Sequence, residues 1–168
     1  MMFTGSRRLI WVFGALMLLL GCQNADQPEI KTSATSGLVV RLADGDTFTL
    51  LVAGNKQLKV RLYGVDAPER QQDFGNVSRS KMQELTTGHT ISIEVKDTDR
   101  YGRTVGIAHR DDGLNLNEEM LRSGLAWHYK AFDKNQKWDQ LEQEARSKKL
   151  GLWSRPSPTP PWQWRKAN

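Results

Sequence analysis

Apolar and polar positions change period several times along the chain, and each change marks an element. Residues 38–43 (LVVRLA) and 47–52 (TFTLLV) are apolar runs separated by Asp44-Gly45-Asp46. Asp-Gly between two such runs is a strong hairpin signal. Residues 57–65 (QLKVRLYGV) alternate, with Leu58, Val60, Leu62 and Gly64 on one face and Lys59, Arg61, Tyr63 and Val65 on the other. This period of two predicts a strand that holds Arg61 and Tyr63 opposite its core face. Asp66-Ala67-Pro68 ends it, because proline has no amide donor and pushes the preceding residue out of helical geometry. Residues 77–87 read as a helix with Val77, Met82 and Leu85 as its apolar positions and Gly88 as its stop.

Ile91, Ile93 and Val95 then alternate with Ser92, Glu94 and Lys96, which predicts a strand, and residues 103–109 (RTVGIAH) predict another. Asp97 to Gly102 is a tight polar connection between them. Asn117 to Ser123 reads as a second helix, with Leu116, Met120 and Leu121 inward and Gly124 as terminator. Lys134 to Lys149 reads as a third, with Trp138, Leu141 and Ala145 at helical spacing on one face. Trp127, Trp138 and Trp153 are expected in the core. The order is three strands, a helix, two strands and two helices. The expected class is α+β: a five-stranded antiparallel set, closed into a small barrel of the oligonucleotide-binding type.

The ends of the chain carry different patterns. Arg7 and Arg8 precede an apolar run from Leu9 to Leu20. That run is short of the roughly 20 apolar residues a membrane span needs, and it reads as a signal peptide over 1–21. It closes on Leu19-Leu20-Gly21-Cys22, which resembles the bacterial lipobox, although Leu20 is larger than the residue usual there. Cys22 is the only cysteine, so no internal disulfide is possible, and its place makes it the expected lipid attachment site. The expected mature chain is exported and tethered by acyl chains to the cell envelope. Gln23 after the cysteine resembles the signal for the outer membrane of a double-membraned bacterium. Residues 22–36 are polar and aperiodic and read as a flexible tether. The domain is expected over 37–154. Residues 155–168 form a Pro/Trp-rich tail, expected to be neither a regular helix nor a central strand. The pattern leaves open whether Trp162 and Trp164 pack on the domain.

Composition adds little to this picture. Lys and Arg number 24 against 19 Asp and Glu, a net charge of +5 of which Arg7 and Arg8 belong to the leader. That suits a polyanionic substrate without demonstrating one. His89, His109 and His128 are scattered and expected at surface or edge positions, and no Cys/His cluster suggests zinc.

The chemistry lies at the strand edges. Asp44, Asp46 and Asp66 are oxygen ligands of the kind a hard cation takes. Glu69, three residues after Asp66, can reach a water near the same ion. Arg61 and Arg103 present planar forks of donors that can grip a phosphate from two sides. Taken singly, Asp44-Gly45-Asp46 is a hairpin turn and Asp99 to Arg103 is a loop. Asp46, Arg61, Asp66, Glu69 and Arg103 together, in one order, have no such explanation.

The segments VRLADGDTF at 40–48, VRLYGVDAPE at 60–69, DRYGRTVG at 99–106, LNEEMLRSGLA at 116–126 and GLWS at 151–154 resemble staphylococcal (micrococcal) nuclease and its thermonuclease family. The resemblance covers about 37 to 154, in the family's order. It implies an oligonucleotide-binding-fold barrel with three helices. It also implies a calcium-dependent phosphodiesterase acting on DNA and RNA and leaving 3′-phosphate ends. By position, Asp46, Asp66 and the backbone carbonyl of Ala67 would hold Ca2+, with Asp44 behind them. Glu69 would orient or deprotonate the attacking water, Arg61 and Arg103 would hold the phosphate, and Tyr101 would lie beside the nucleotide, next to Arg100. Tyr129 is the expected base-stacking residue, with Trp127 as the alternative. The segment RQQDFGNVSRS after Glu69 is shorter and less lysine-rich than in the best-known member, so substrate contacts there are expected to differ. The chain is expected to act as a monomer. The rival readings are a non-catalytic nucleic-acid-binding lipoprotein on the same barrel and a structural envelope lipoprotein.

Overall fold

The computed structural model describes residues 1–2 and 35–168. The leader, Cys22 and most of the tether lie outside the described residues. Five strands close into a barrel: β1 (Thr35–Leu42), β2 (Thr47–Val52), β3 (Lys56–Leu62), β5 (Thr90–Thr98) and β6 (Thr104–Arg110), in the order β1-β2-β3-β6-β5. β1 begins at Thr35, so Thr35 and Ser36 belong to the barrel and not to the tether. Four neighbouring pairs are antiparallel, but β3 and β6 run parallel, with Arg61 beside Val105. The expected all-antiparallel set is corrected on this point. Strand directions cannot alternate around a closed ring of five, so at least one pair must be parallel.

The alternation of β3 holds up to Leu62 and then breaks. Gly64 adopts φ of +66°, and a Cβ there would meet the Trp138 ring at 2.6 Å. The turn it makes throws Val65 and Asp66 into a two-residue strand, β4 (Val65–Asp66), which pairs with β7 (Trp127–His128) away from the barrel. Val65 is therefore buried, although the alternation assigned it to the outward face with Arg61. The same pairing buries His128, whose Nε2 lies 2.9 Å from Asp133 Oδ1, so it is not the surface histidine expected.

Three helices pack on the barrel. α1 (Gly75–Thr86) turns Ser78, Met82 and Leu85 inward, while Val77, expected on that face, is exposed. α2 (Leu116–Arg122) is capped by the Asn115 side chain, which accepts from Glu118 N at 3.1 Å. α3 (Gln136–Ser147) is capped by Asn135, which accepts from Lys137 N at 2.9 Å, and buries Trp138, Leu141 and Ala145. Such caps satisfy amides the first helical turn leaves without partners. Phe48, Leu50, Val60, Leu62, Ile91 and Ile93 fill the barrel, and Trp138, Leu116 and Met120 extend this core between barrel and helices. A second cluster joins Trp127, Ala145, Leu152 and Trp153, with Trp162 against it.

That last contact belongs to an element that the proline content argued against. Pro161–Ala167 forms a fourth helix, α4. Pro161 occupies its first turn, where a missing amide donor costs no hydrogen bond and the fixed φ suits the helix. The count of three helices is corrected to four among the described residues.

Candidate active site

The loop between β1 and β2 is a compact turn, with Ala43 N donating to Thr47 O at 2.9 Å. Asp44 Oδ1 accepts from Asp46 N at 3.0 Å, which holds the two acidic residues in a fixed relation. Gly45 lies against α1 so closely that a Cβ would sit 1.8 Å from Ser78 Oγ. Asp46 is thereby pressed inward to 1 % exposure. Its Oδ2 accepts from Ala67 N at 2.6 Å, and its Oδ1 accepts from Thr47 Oγ1 at 2.9 Å and from Arg61 Nη1.

Arg61 reaches this point because β2 and β3 pair Thr47 with Arg61. Its second terminal nitrogen donates to Asp66 Oδ1 at 2.7 Å. Asp66 is fully buried on β4, where the backbone pairing with Trp127 fixes it. One guanidinium thus bridges two buried carboxylates from separate elements. Its two carboxylate partners outweigh the burial that opposes its charge, so Arg61 is held above its ordinary range. Burial also opposes the Asp46 charge, but Arg61 and the Ala67 amide outweigh it and hold Asp46 below the usual carboxylate range. Asp44 faces the opposite balance. Burial, then the neighbouring Asp46 charge, push it up to about 8. Burial raises Asp66 too, against the pull of Arg165 and Arg61.

The remaining residues surround a cavity of about 630 Å³ whose lining includes Asp44, Arg61, Glu69, Arg100, Tyr101, Arg103 and Tyr129. Asp46 and Asp66 lie behind Arg61 rather than on this lining. Arg103 stands just before β6 and is oriented by Asp99, whose Oδ2 accepts from Nε at 2.7 Å and whose Oδ1 accepts from the Tyr101 and Arg103 amides. The two Nη groups of Arg103 donate to nothing among the described residues. The Arg100 and Arg103 guanidiniums lie 5.2 and 5.6 Å from the Tyr101 ring centre, and that ring is exposed. Tyr129 lines the cavity, tied by its amide to Gly64 O at 2.8 Å, whereas Trp127 is buried in the second cluster.

One side chain in the site belongs to none of the sequence motifs. Arg165, on α4, donates from Nη2 to Asp66 Oδ2 at 2.9 Å and from Nη1 to Asp66 Oδ1 at 3.2 Å and Glu69 Oε1 at 2.8 Å. Trp162, three residues earlier, lies flat on Tyr129 with ring centres 5.1 Å apart and planes at 12°. The only local signal for this helix was Pro161 ahead of an amphipathic WQWRKA stretch.

The donor set fits a hard cation in kind. Asp46, Asp66 and the Ala67 carbonyl are all oxygen donors, and the charge the two buried carboxylates need is supplied in this structure by Arg61 and Arg165. Among the described residues no group of three or more His, Cys, Asp or Glu side chains is arranged to hold a metal ion.

Comparison with known proteins places this geometry in context. The family model described as staphylococcal nuclease homologue matches residues 59–155. An Escherichia coli protein named "Uncharacterized endonuclease" is 42 % identical over 129 residues, covering 77 % of this chain and 84 % of that one. A Shigella flexneri protein named "Micrococcal nuclease" is 39 % identical over 143 residues, covering 79 % of this chain and 81 % of that one. "Staphylococcal-like nuclease CAN1" of Arabidopsis thaliana is 40 % identical over 111 residues, covering 66 % of this chain and 34 % of that longer protein.

Proposed function

The chain belongs to the staphylococcal nuclease family, and from that membership we propose that it is a calcium-dependent endonuclease hydrolysing phosphodiester bonds of DNA and RNA. The observation that carries this reading is the convergence of Asp46, Asp66, Arg61 and Glu69 beside one cavity, with Arg103 on its lining.

Asp46, Asp66 and the Ala67 carbonyl would hold Ca2+, with Asp44 behind them. When bound, the cation supplies a Lewis acid for the phosphoryl oxygen and positive charge against the substrate's own. The chain's residues do the rest. Arg103, whose Nη groups face the cavity unengaged, and Arg61, once it leaves Asp46 and Asp66, present forked donors to the equatorial oxygens, where negative charge grows as the phosphorus becomes five-coordinate. Glu69 orients the attacking water or accepts its proton. Departure of the 5′ oxygen leaves a 3′-phosphate end. Tyr101 and Tyr129 offer ring faces at the cavity edge to the nucleotide. A non-catalytic binding module would have no use for the paired buried carboxylates. The protein acts as a monomer, exported and anchored to the envelope through lipid on Cys22.

The test is incubation of the purified protein with DNA and with RNA, in calcium and then in excess chelator. Cleavage with 3′-phosphate ends in calcium, abolished by chelator, is the expected result. Undiminished cleavage in chelator refutes the metal role, and no cleavage in calcium refutes the enzyme.

A further inference from the structure

The C-terminal segment docks on the cavity through several independent contacts. Pro161 is buried, and Gln72 Nε2 donates to Thr159 O at 2.5 Å while Gln72 Oε1 accepts from Glu69 N at 3.2 Å. Gln72 therefore ties the tail to the segment that carries Glu69. Trp162 meets the edge of Trp127 at 5.6 Å and covers the face of Tyr129 at 5.1 Å. Residues three apart share a helix face, so Trp162 and Arg165 point the same way from α4. Arg165 lies on both oxygens of Asp66 and on one of Glu69.

One short helix thus sets an aromatic ring where a nucleobase would stack and a guanidinium on a carboxylate that would hold the cation. We propose that Thr159–Arg165 is a built-in plug, which competes with nucleic acid through Trp162 and with the divalent cation through Arg165. This rests on the functional reading above. Arg61 and Arg165 together already cover both oxygens of Asp66, so a divalent cation arriving there meets the Arg165 charge and has to displace it. The plug is able to leave. Arg165 is 41 % exposed, and α4 buries only Pro161 fully, so undocking leaves the barrel core intact. Residues 155–160 include Pro156, Pro158 and Pro160, which stiffen the connection and keep the helix near the mouth once released.

The energetic signature is competition. A plug docked nine-tenths of the time weakens the apparent affinity of whatever it displaces about tenfold. The test uses the full-length chain and two variants. Calcium is titrated calorimetrically without nucleic acid, and Arg165→Gln is expected to bind it about tenfold more tightly than the wild type. A short single-stranded oligothymidylate is titrated in chelator, and Trp162→Ala is expected to bind it several-fold more tightly. Trp162→Ala is the right variant for that arm because it leaves charge unchanged, whereas Arg165→Gln removes a cation from a binder of polyanions. The proposal is overturned if neither variant gains affinity. It is equally overturned if both lose it, which would make Arg165 and Trp162 substrate contacts. Failure of the functional reading shows separately, as a wild type that neither binds calcium nor cuts nucleic acid.

Discussion

Arg61 binds Asp46 and Asp66 at once, and a planar fork is what allows it. Lysine keeps the charge and loses the fork. Arg61→Lys and Arg103→Lys are each expected to lower cleavage by on the order of 10²–10³, the usual cost of one transition-state donor. DNA affinity in calcium-free buffer is expected to move far less, since charge is conserved. Cleavage rates and equilibrium binding read the two separately. Wild-type rates in both variants would hand the phosphate to other cavity cations, Arg100 or Lys59. Asp44 makes a prediction of a different kind. Its pKa rises from an ordinary 3.8 to about 8 in the fold, chiefly through burial. Between those values the folded protein holds a proton that the unfolded chain has lost. Stability of the calcium-free protein therefore falls as pH rises from about 4 to about 8, then levels. Asp44→Asn cannot ionise and is expected to remove the Asp44 share of that fall, leaving the share of Asp66, which burial also raises. Thermal unfolding against pH checks it, and an unchanged slope in the variant would show that Asp44 is ionised in the fold.

α2 is fastened to the barrel by one buried amide. Asn117 Oδ1 accepts from Ala108 N at 3.0 Å, and Asn117 Nδ2 donates to Tyr63 O at 2.8 Å. It thereby joins α2, β6 and the turn that follows β3, the turn from which Asp66 departs. Asn117→Ala leaves a buried N–H and a buried carbonyl without partners, and is expected to cost about 2–4 kcal/mol of stability. Urea unfolding measures this, and a loss near zero would mean that water replaces the side chain. The helical period marked Leu116, Met120 and Leu121 as inward, and all three are buried. It said nothing of Asn117, because a polar residue on a buried face is invisible to a hydrophobic pattern until its partners are known. Val77 failed for a related reason. α1 turns toward the Asp44–Asp46 loop through Ser78, which donates to Leu125 O at 2.8 Å, and this leaves Val77 on the outer side.

A membrane location is part of the proposal, and the described domain begins at Thr35, downstream of the lipobox-like Leu19-Leu20-Gly21-Cys22. If acyl chains on Cys22 hold it there, Cys22→Ser is expected to move the protein out of the membrane fraction without loss of nuclease activity. Metabolic labelling with a tagged fatty acid marks the wild type alone in that case. Label that persists in Cys22→Ser would remove the anchor from this residue. The tail belongs to the same level of organisation. It follows the matched family region, which ends at residue 155, yet it returns to the middle of the site.

Local sequence carried the strands, the three long-pattern helices and the identity of the charged residues, because alternation and helical spacing record which face of each element is buried. Val60 and Leu62 are buried and Arg61 lies on the opposite face, as the period of two over 57–65 requires. The same signals do not record which element covers which face. The parallel β3–β6 pair follows from closing a ring of five strands, and the burial of Val65 and His128 follows from β4 pairing with β7. Arg165 meets Asp66 across 99 positions, a contact that exists only once Trp162 and Pro161 have set the path of α4. The state of Asp44 is likewise a property of the assembled site, since a carboxyl is raised by burial beside another charge and neither condition is written at its own position.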